Sequence, residues 1–82
     1  KIYWKENNMQ VIPGKYRHYK GNYYDVLGVG RQSETLEEFV VYKALYKSKK
    51  FGNKALWVRP KSMFIETLRI NGKKVPRFKF IK

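Results

Sequence analysis

The sequence predicts an all-β protein, a small SH3-like antiparallel barrel or roll of five to six strands with one short helical turn. Three observations lead to this prediction. Aromatic residues, which favour strands, make up 17% of the chain. Short apolar runs alternate with turn signals, as in small antiparallel barrels. With 82 residues, the chain forms one domain with a small core. An OB-like barrel is the alternative fold, and the lack of a long helix between strands weighs against it.

The first two strands are predicted to form a tight hairpin. Strand one covers Tyr16–Lys20, strand two covers Tyr23–Val29, and Gly21-Asn22 between them is a turn signal. Because side chains alternate along a strand, His18 lies on the face opposite to Arg17. Two glycines near the end of strand two predict a bulge, a bend or a close approach of another backbone.

The third strand is predicted over Glu37–Tyr46, the strongest strand pattern in the chain. Its residues Val40, Tyr42 and Ala44 share one face. A helix that begins at Ser33 is the alternative, because the acidic residues after it suit a first helical turn. The β-branched and aromatic content favours the strand, with a polar turn over residues 32–35 before it.

The second half of the chain repeats the pattern of strands and turns. A basic loop over Lys47–Lys54 leads into a strand over Ala55–Arg59. Pro60 ends this strand, because proline cannot donate a hydrogen bond to the ladder. Residues Lys61–Phe64 fit a single helical turn, which an SH3-like barrel often carries before its fifth strand.

A last hairpin is predicted near the C-terminal end of the sequence. Asn71-Gly72 separates strands over Phe64–Ile70 and Val75–Ile81, and both turn residues tolerate the positive φ of a type I′ turn. Pro76, near the start of the last strand, is typical of an edge strand. The β domain is therefore predicted to span residues 14–82, with residues 1–13 as an N-terminal extension or leader.

The balance of charge predicts an anionic partner. The chain has 19 Lys and Arg against six Asp and Glu, a formal net charge of +13. Such a charge raises the local concentration of polyanions, of which nucleic acid is the commonest partner. The alternative is that many of these lysines are solvated surface residues with no ligand.

Composition also excludes several classes of function. With no cysteine and one histidine, the chain is not expected to form disulfides or a metal site. No apolar run reaches the roughly 18 residues of a membrane helix. The sequence pairs no base with a nucleophile, and no two carboxylates are placed for acid–base catalysis. We therefore expect a cytoplasmic, non-catalytic protein with no cofactor, no metal and no membrane partner.

Seven short motifs are spread over about Gly14 to Ile81. They are Tyr16-Arg17-His18-Tyr19-Lys20-Gly21, Tyr24-x-Val26-Leu27-Gly28, Ser33-Glu34-Thr35-x-Glu37, Val40-Val41-Tyr42-x-Ala44-Leu45-Tyr46, Trp57-Val58-Arg59-Pro60, Met63-Phe64-x-Glu66 and Val75-Pro76-Arg77-Phe78. With these motifs the chain resembles DUF1653, a family of short bacterial and phage proteins of unknown function. The resemblance implies no particular activity.

Two features depart from the family pattern. Gln32 occupies the position before Ser-Glu-Thr, where the family often has histidine. The loop that follows Leu45-Tyr46 looks longer and more basic than the usual pattern. Much of the net charge is therefore a property of this member, and a polyanion partner inferred from charge need not be the ligand that the family shares.

A basic and aromatic platform is the first candidate binding site. The strand over Ala55–Arg59 places Trp57 and Arg59 on one face. If the other face packs on the core, the indole and the guanidinium lie side by side outside, where they can stack on a base and contact a phosphate. The alternative is that Trp57 packs under the basic loop while Arg59 pairs with a carboxylate.

Three hypotheses about function follow from these residues. The first is a nucleic-acid-binding module, the second is a binder of a small anionic ligand such as a nucleotide, and the third is a protein-interaction module that uses an aromatic groove or a sheet edge. The predicted ligand-binding residues are Arg17, His18, Lys20, Arg31, Ser33, Thr35, Trp57 and Arg59. The predicted polyanion-binding residues are Lys43, Lys47, Lys49, Lys50 and Lys54. A structural hydrogen-bonding role is the alternative for His18.

Overall fold

A computed structural model describes residues 10–81 of the chain. The elements, in chain order, are β1 (Gly14–His18), β2 (Tyr23–Arg31), β3 (Glu38–Ala44), β4 (Lys47–Ser48), β5 (Gly52–Asn53), β6 (Leu56–Pro60), α1 (Lys61–Phe64), β7 (Thr67–Ile70), β8 (Lys73–Pro76) and β9 (Phe78–Phe80). Residues 1–9 of the predicted N-terminal extension lie outside the described residues, as does residue 82. Over residues 10–81, no helix has the length and apolar character that crossing a membrane requires.

Five antiparallel strands form the main sheet, in the order β6-β3-β2-β1-β9. The remaining strands form two small hairpins, β4-β5 and β7-β8. Within residues 10–81 the two edge strands, β6 and β9, do not pair with each other, so the sheet forms an open roll rather than a closed barrel. The predicted all-β fold with one short helical turn is confirmed.

The first hairpin forms where the sequence predicts it. The amide of Gly21 donates to the carbonyl of His18, and the amide of His18 donates to the carbonyl of Asn22, each over 2.8 Å. Gly21 has a φ of +113°, a conformation that favours glycine because it lacks a Cβ. This turn fixes the register of the hairpin and places Arg17 opposite Tyr23.

The predicted irregularity in β2 is a bulge. Val26 pairs with Tyr42, whereas Gly28 pairs with the adjacent Val41, so Leu27 is the extra residue. Beyond the end of β2, the side-chain oxygen of Gln32 accepts hydrogen bonds from two backbone amides of the following turn, over 2.6 and 2.8 Å. The turn prediction is therefore confirmed and the alternative helix is wrong, because this side chain holds the segment in a turn.

The C-terminal hairpin also forms as predicted, with φ values of 50° at Asn71 and 78° at Gly72. The strand predicted over Val75–Ile81 is instead divided in two, because β8 pairs with β7 while β9 pairs with β1. The division is at Arg77, whose amide donates to the carbonyl of Glu66 over 3.0 Å. This change of partner carries β9 to the edge of the main sheet.

The core lies on one face of the main sheet, under α1. It consists of Tyr16, Val26, Val40, Tyr42, Phe64 and Phe78. The rings of Phe64 and Phe78 stack with their centroids 4.1 Å apart and an interplanar angle of 8°. The hydroxyl of Tyr16 donates to the carbonyl of Ile12 over 2.8 Å, and burial raises the pKa of this phenol. Aromatic side chains thus make up most of the core, which is small because the chain is short.

Candidate functional site

The face of the main sheet that turns away from the core is called here the outer face. Directly opposite residues of neighbouring antiparallel strands point to the same side of a sheet. Tyr16 and Val26 are buried on the core side, which is called the inner face. Their chain neighbours Lys15, Arg17 and Asp25 therefore lie on the outer face.

Two rows of side chains cross the outer face near one end of the sheet, and together they are called the basic rows. The first row consists of Lys79, Arg17 and Tyr23. The second row consists of Lys15, Asp25 and Lys43. Opposite residues of an antiparallel ladder are about 5 Å apart, so each row spans about 10 Å. The rows bring together four cations from three strands, β1, β3 and β9.

An exposed aromatic ring lies among these cations. Tyr23 has an exposed fraction of 40%. The ammonium of Lys15 lies 4.8 Å from the centre of the Tyr23 ring, and the guanidinium carbon of Arg17 lies 6.0 Å from it. A ring in this position can stack on a base while the neighbouring cations contact phosphates.

Among the described residues, no ion pair neutralises the cations of the basic rows. Within residues 10–81 the ion pairs join Arg31 and Lys61 to Glu38, and Arg77 to Glu66. Asp25 is the one carboxylate in the basic rows, in register between Lys15 and Lys43 but more than 4 Å from either ammonium. Four cations therefore face solvent with little compensation.

Three other carboxylates lie around an open cavity of about 600 Å³ between α1 and the start of β3. The residues that line it are Glu37, Glu38, Lys61, Ser62, Ile65, Glu66 and Thr67. Three carboxylates make this cavity unsuitable for a polyanion. In the described part of the protein, three carboxylates therefore lie around α1, whereas lysine and arginine side chains without ion pairs lie on the outer face.

Trp57 and Arg59 lie on the inner face, which corrects the prediction that they form an outer platform. In the ladder, Trp57 is opposite Tyr42 and Arg59 is opposite Val40, and both of these β3 residues are buried. The side chains that point outward from β6 are Leu56 and Val58, with exposed fractions of 63% and 61%. The pairing with β3 decides this orientation, since it forces opposite residues to the same side.

Trp57 packs beneath the β4-β5 hairpin. Its ring contacts Phe51 edge to face, with the centroids 5.0 Å apart. The indole Nε1 of Trp57 is buried and has no hydrogen-bond partner in the described part of the chain. The indole therefore supports the basic hairpin from below and is not available to stack on a ligand at the outer face.

A second group of polar side chains lies on the inner face, buried at Tyr42 and half-buried at its other members, and it is called the inner cluster. Its members are His18, Tyr24, Tyr42, Tyr46 and Arg59, around the ring of Phe78. The Nε of Arg59 donates to the hydroxyl of Tyr42 over 3.2 Å, and its guanidinium carbon lies 5.7 Å from the centre of Phe78. The hydroxyls of Tyr24 and Tyr46 share a hydrogen bond of 2.8 Å.

The inner cluster favours neutral titratable side chains. The pKa of His18 is lowered by burial and then by the positive charges of Arg59, Arg77 and Lys20. The pKa of Tyr24 is raised by burial and by its hydrogen bond with Tyr46. At neutral pH the cluster therefore combines a neutral imidazole and a neutral phenol with the permanent charge of one guanidinium.

Comparisons with known proteins identify the family of this chain. The sequence profile of DUF1653, described as a protein of unknown function, matches residues 14–80. The chain belongs to the DUF1653 family. It is also similar to a crystal structure of a DUF1653 protein from Bordetella bronchiseptica, with 37% sequence identity, a TM-score of 0.76 and 87% of each chain covered. A search among curated proteins found no match.

The residues predicted to bind a small ligand do not form one site in this DUF1653 protein. Arg17 lies on the outer face and His18 on the inner face, because neighbouring residues of a strand point to opposite sides. The ammonium of Lys20, in the turn after β1, lies 5.8 Å from the centre of the Tyr19 ring. Arg17 and His18 therefore lie at the same end of the sheet but on its two opposite faces.

The other predicted ligand residues lie beyond the opposite end of the sheet. Arg31 donates to the carbonyl of Leu36 over 2.9 Å and pairs with Glu38 at 3.7 Å. Ser33 lies in the polar turn, and the hydroxyl of Thr35 accepts from the amide of Glu37 over 3.2 Å. These contacts stabilise the turn, and they place Arg31, Ser33 and Thr35 away from Arg17.

The predicted polyanion-binding lysines are partly adjacent to the basic rows. Lys43 belongs to the second row. The four other predicted lysines, Lys47, Lys49, Lys50 and Lys54, lie in the β4-β5 hairpin and at its end, and all four are exposed. The hairpin extends from the end of the sheet where Tyr23 lies, since the amide of Leu45 donates to the carbonyl of Tyr23 over 3.0 Å.

The site prediction from sequence missed four members of the basic rows, namely Lys15, Tyr23, Asp25 and Lys79. The turn at Gly21 sets Arg17 opposite Tyr23, and this register is readable from the sequence. Lys79 has no such local signal, because its position depends on the long-range pairing of β9 with β1.

Proposed function

We propose that this DUF1653 protein is a cytoplasmic, non-catalytic module that binds nucleic acid through the outer face of its sheet. The observation that carries this proposal is the basic rows, in which four cations that form no ion pair within residues 10–81 lie on the same face as the exposed ring of Tyr23. In this arrangement the cations contact phosphates, and the ring stacks on a base.

The spacing of the basic rows suits a nucleic-acid backbone. Cations within a row are about 5 Å or about 10 Å apart, and residues two apart along a strand are about 7 Å apart. Arg17 and Lys79 therefore contact one phosphate or two adjacent ones, while Lys15 and Lys43 contact neighbouring positions. Release of counterions from these phosphates supplies the free energy of binding.

A single strand fits this surface better than a duplex. The ring of Tyr23 is exposed on an open sheet, where it reaches only a base that is not already stacked within a helix. Stacking is tolerant of sequence because every base has an aromatic face. We therefore propose binding without strong sequence preference.

The separation of charge in the described residues orients the ligand. Lysine and arginine side chains that form no ion pair among the described residues lie on the outer face and on the β4-β5 hairpin. The carboxylates of Glu37, Glu38 and Glu66 instead line the cavity beside α1. A polyanion is attracted to the first surface and repelled from the second. The bound nucleic-acid strand accordingly crosses the outer face from β9 towards the β4-β5 hairpin.

The test is a titration with labelled oligonucleotides of random sequence, single-stranded and double-stranded, followed by fluorescence anisotropy at several salt concentrations. Four phosphate contacts on a single strand predict a slope of about −3 for the logarithm of the binding constant against the logarithm of salt concentration. We expect single strands to bind more tightly than duplexes of equal length. No binding at low salt would overturn the proposal.

A further inference from the structure

The inner cluster contains a guanidinium whose donors are only partly used. Arg59 is half-buried on the inner face, and its Nε donates to the hydroxyl of Tyr42 over 3.2 Å. Its two terminal nitrogens make no hydrogen bond within residues 10–81. A guanidinium carries five N–H donors in a planar fork, so four of them have no partner among the described residues.

His18 supplies another free donor beside the same ring. The Nδ1 of His18 accepts a hydrogen bond from the amide of Lys20 over 3.1 Å. In a neutral imidazole one nitrogen accepts and the other carries the proton, so Nε2 is the donor of His18. The imidazole lies 4.9 Å from the centre of Phe78, and the guanidinium carbon of Arg59 lies 5.7 Å from that centre.

A tyrosine pair adds a third donor. The hydroxyls of Tyr24 and Tyr46 lie 2.8 Å apart and share one hydrogen bond, which uses one of their two protons. The second proton is therefore available to an acceptor. The centres of the Tyr24 and His18 rings are 6.4 Å apart, so the ring that carries one of these hydroxyls borders the imidazole.

The charges that face His18 are all positive. They come from Lys20 in the turn after β1, Arg59 on β6 and Arg77 before β9. Arg77 is held by Glu66, with 2.8 Å between Nη2 and Oε1, and it donates from Nε to the carbonyl of Met63. Tyr24 and Tyr19 are the neighbouring titratable groups, and within the described residues Arg59 forms no ion pair.

We propose that Arg59, His18 and the Tyr24–Tyr46 hydroxyl pair form a binding site for a phosphate monoester on the inner face. The fork of Arg59 matches two oxygens of a phosphate, which a point charge cannot do. The Nε2–H of His18 and the free tyrosine proton donate to the remaining oxygens. This site goes beyond the proposed function, because it lies on the other side of the sheet from the basic rows and needs no polymer.

An anion at this site changes the titration of His18 in a defined direction. In the free protein, burial and the cations around it lower the pKa of this imidazole. A phosphate beside the ring offsets those charges and stabilises the imidazolium, so binding raises the pKa. A phosphate that binds the imidazolium form tenfold more tightly than the neutral form raises it by about one pH unit.

The single histidine of the chain makes this change directly measurable. The imidazole is titrated by NMR with sodium chloride, with inorganic phosphate and with a nucleoside monophosphate, all at the same ionic strength. We expect both phosphate compounds to raise the pKa of His18 relative to chloride, with the larger rise for the monoester. No rise with either compound would overturn the proposal.

Arg59→Gln tests the role of the guanidinium, and Arg69→Gln on the β7-β8 hairpin is the control with the same change in charge. We expect Arg59→Gln to weaken phosphate binding about tenfold or more, since it removes a charged donor pair. Arg69→Gln should leave both the affinity and the titration unchanged. An unaltered response in Arg59→Gln would also overturn the proposal.

A separate measurement distinguishes this site from the outer face. The dispersion of chemical shifts in the NMR spectra reports whether Arg59→Gln is folded, and its oligonucleotide binding reports whether the basic rows remain functional. We expect that binding to persist in Arg59→Gln, and the response of His18 to phosphate to persist in a variant without Arg17 and Lys79. Loss of the phosphate response in that outer-face variant would contradict two independent sites.

Discussion

Arg17 and Lys79 lie directly opposite each other in the ladder between β1 and β9. Like charges in this position destabilise a sheet, because the side chains lie about 5 Å apart with no intervening carboxylate. Arg69 and Lys74 form a similar pair on the β7-β8 hairpin, but without a second basic row at their side. A bound anion would offset the repulsion between Arg17 and Lys79, so this pair is expected at a site that binds an anionic ligand.

The first prediction concerns this pair. The double variant Arg17→Ala, Lys79→Ala should bind single-stranded oligonucleotides more weakly, because two phosphate contacts are lost. Its salt slope should decrease in magnitude by about 1.4, the value for two contacts on a single strand. The measurement is fluorescence anisotropy at several salt concentrations.

The matched control is the double variant Arg69→Ala, Lys74→Ala. It removes one arginine and one lysine that face each other across a hairpin, so the net charge changes by the same amount. We expect its salt slope to stay close to that of the unmodified protein. Equal losses in the two variants would show that binding follows net charge and not the basic rows.

The second prediction concerns stacking by Tyr23. Tyr23→Leu should reduce the binding free energy of a single strand by about 1–3 kcal/mol, the contribution of one stacked base. The salt slope should not change, because the ring carries no charge. Tyr23→Phe keeps the aromatic face and should bind like the unmodified protein. If Tyr23→Phe and Tyr23→Leu lose affinity equally, the hydroxyl and not the ring contacts the ligand.

Local turn chemistry made the two main hairpins predictable from the sequence. Gly21 and Gly72 adopt positive φ, a conformation that few other residues tolerate, and each turn fixes the register of its strands. The helical turn at Lys61–Phe64 follows from the proline before it, which supplies no amide to a ladder. Signals of this kind depend only on neighbouring residues.

The orientation of β6 could not be predicted from the strand alone. Apolar side chains normally face the core, which favours Leu56 and Val58 as the buried pair. In the structure Trp57 and Arg59 face inward, because they pair with buried residues of β3. At the edge of a small core, a large ring and a long aliphatic stem cover the aromatic cluster well.

The pairing of strands that are distant in the sequence also could not be predicted, and one part of the candidate site depends on it. The strand predicted over Val75–Ile81 is interrupted at Arg77, where the backbone leaves β7 and joins β1. No local residue pattern specifies that exchange of partners. The contribution of Lys79 to the outer face is therefore visible only in the folded chain.

The third prediction compares two glycines. Gly72 has a φ of +78°, so Gly72→Ala places a Cβ in the left-handed region and should destabilise the protein by about 1–2 kcal/mol. Gly28 has no such φ, and a Cβ there would meet no atom within 4 Å. Gly28→Ala should be neutral or stabilise by about 0.4–1 kcal/mol, because it reduces the entropy of the unfolded chain.

Urea unfolding measures both changes, with the free energy of unfolding compared at equal slope. Equal destabilisation by Gly72→Ala and Gly28→Ala would contradict the assignment of a strained turn at Gly72. It would point instead to a requirement for glycine in β2 that the open space beside Gly28 does not explain.

The fourth prediction concerns the pH dependence of stability that arises from His18. Burial and the charges of Arg59, Arg77 and Lys20 hold its pKa below the ordinary value of 6.5 in the folded protein. The unfolded chain therefore takes up a proton at a higher pH than the folded protein does. The contribution of His18 to stability is complete above pH 6.5 and is lost as the pH falls through the folded pKa.

His18→Gln isolates this effect, because glutamine keeps a polar side chain and does not titrate. We expect the free energy of unfolding of the unmodified protein to decrease as the pH falls below 6.5, and that of His18→Gln to decrease less over the same interval. The carboxylates titrate in both proteins, so the difference between the two curves belongs to the imidazole. Parallel curves would show that the cations around His18 do not disfavour its protonation in the fold.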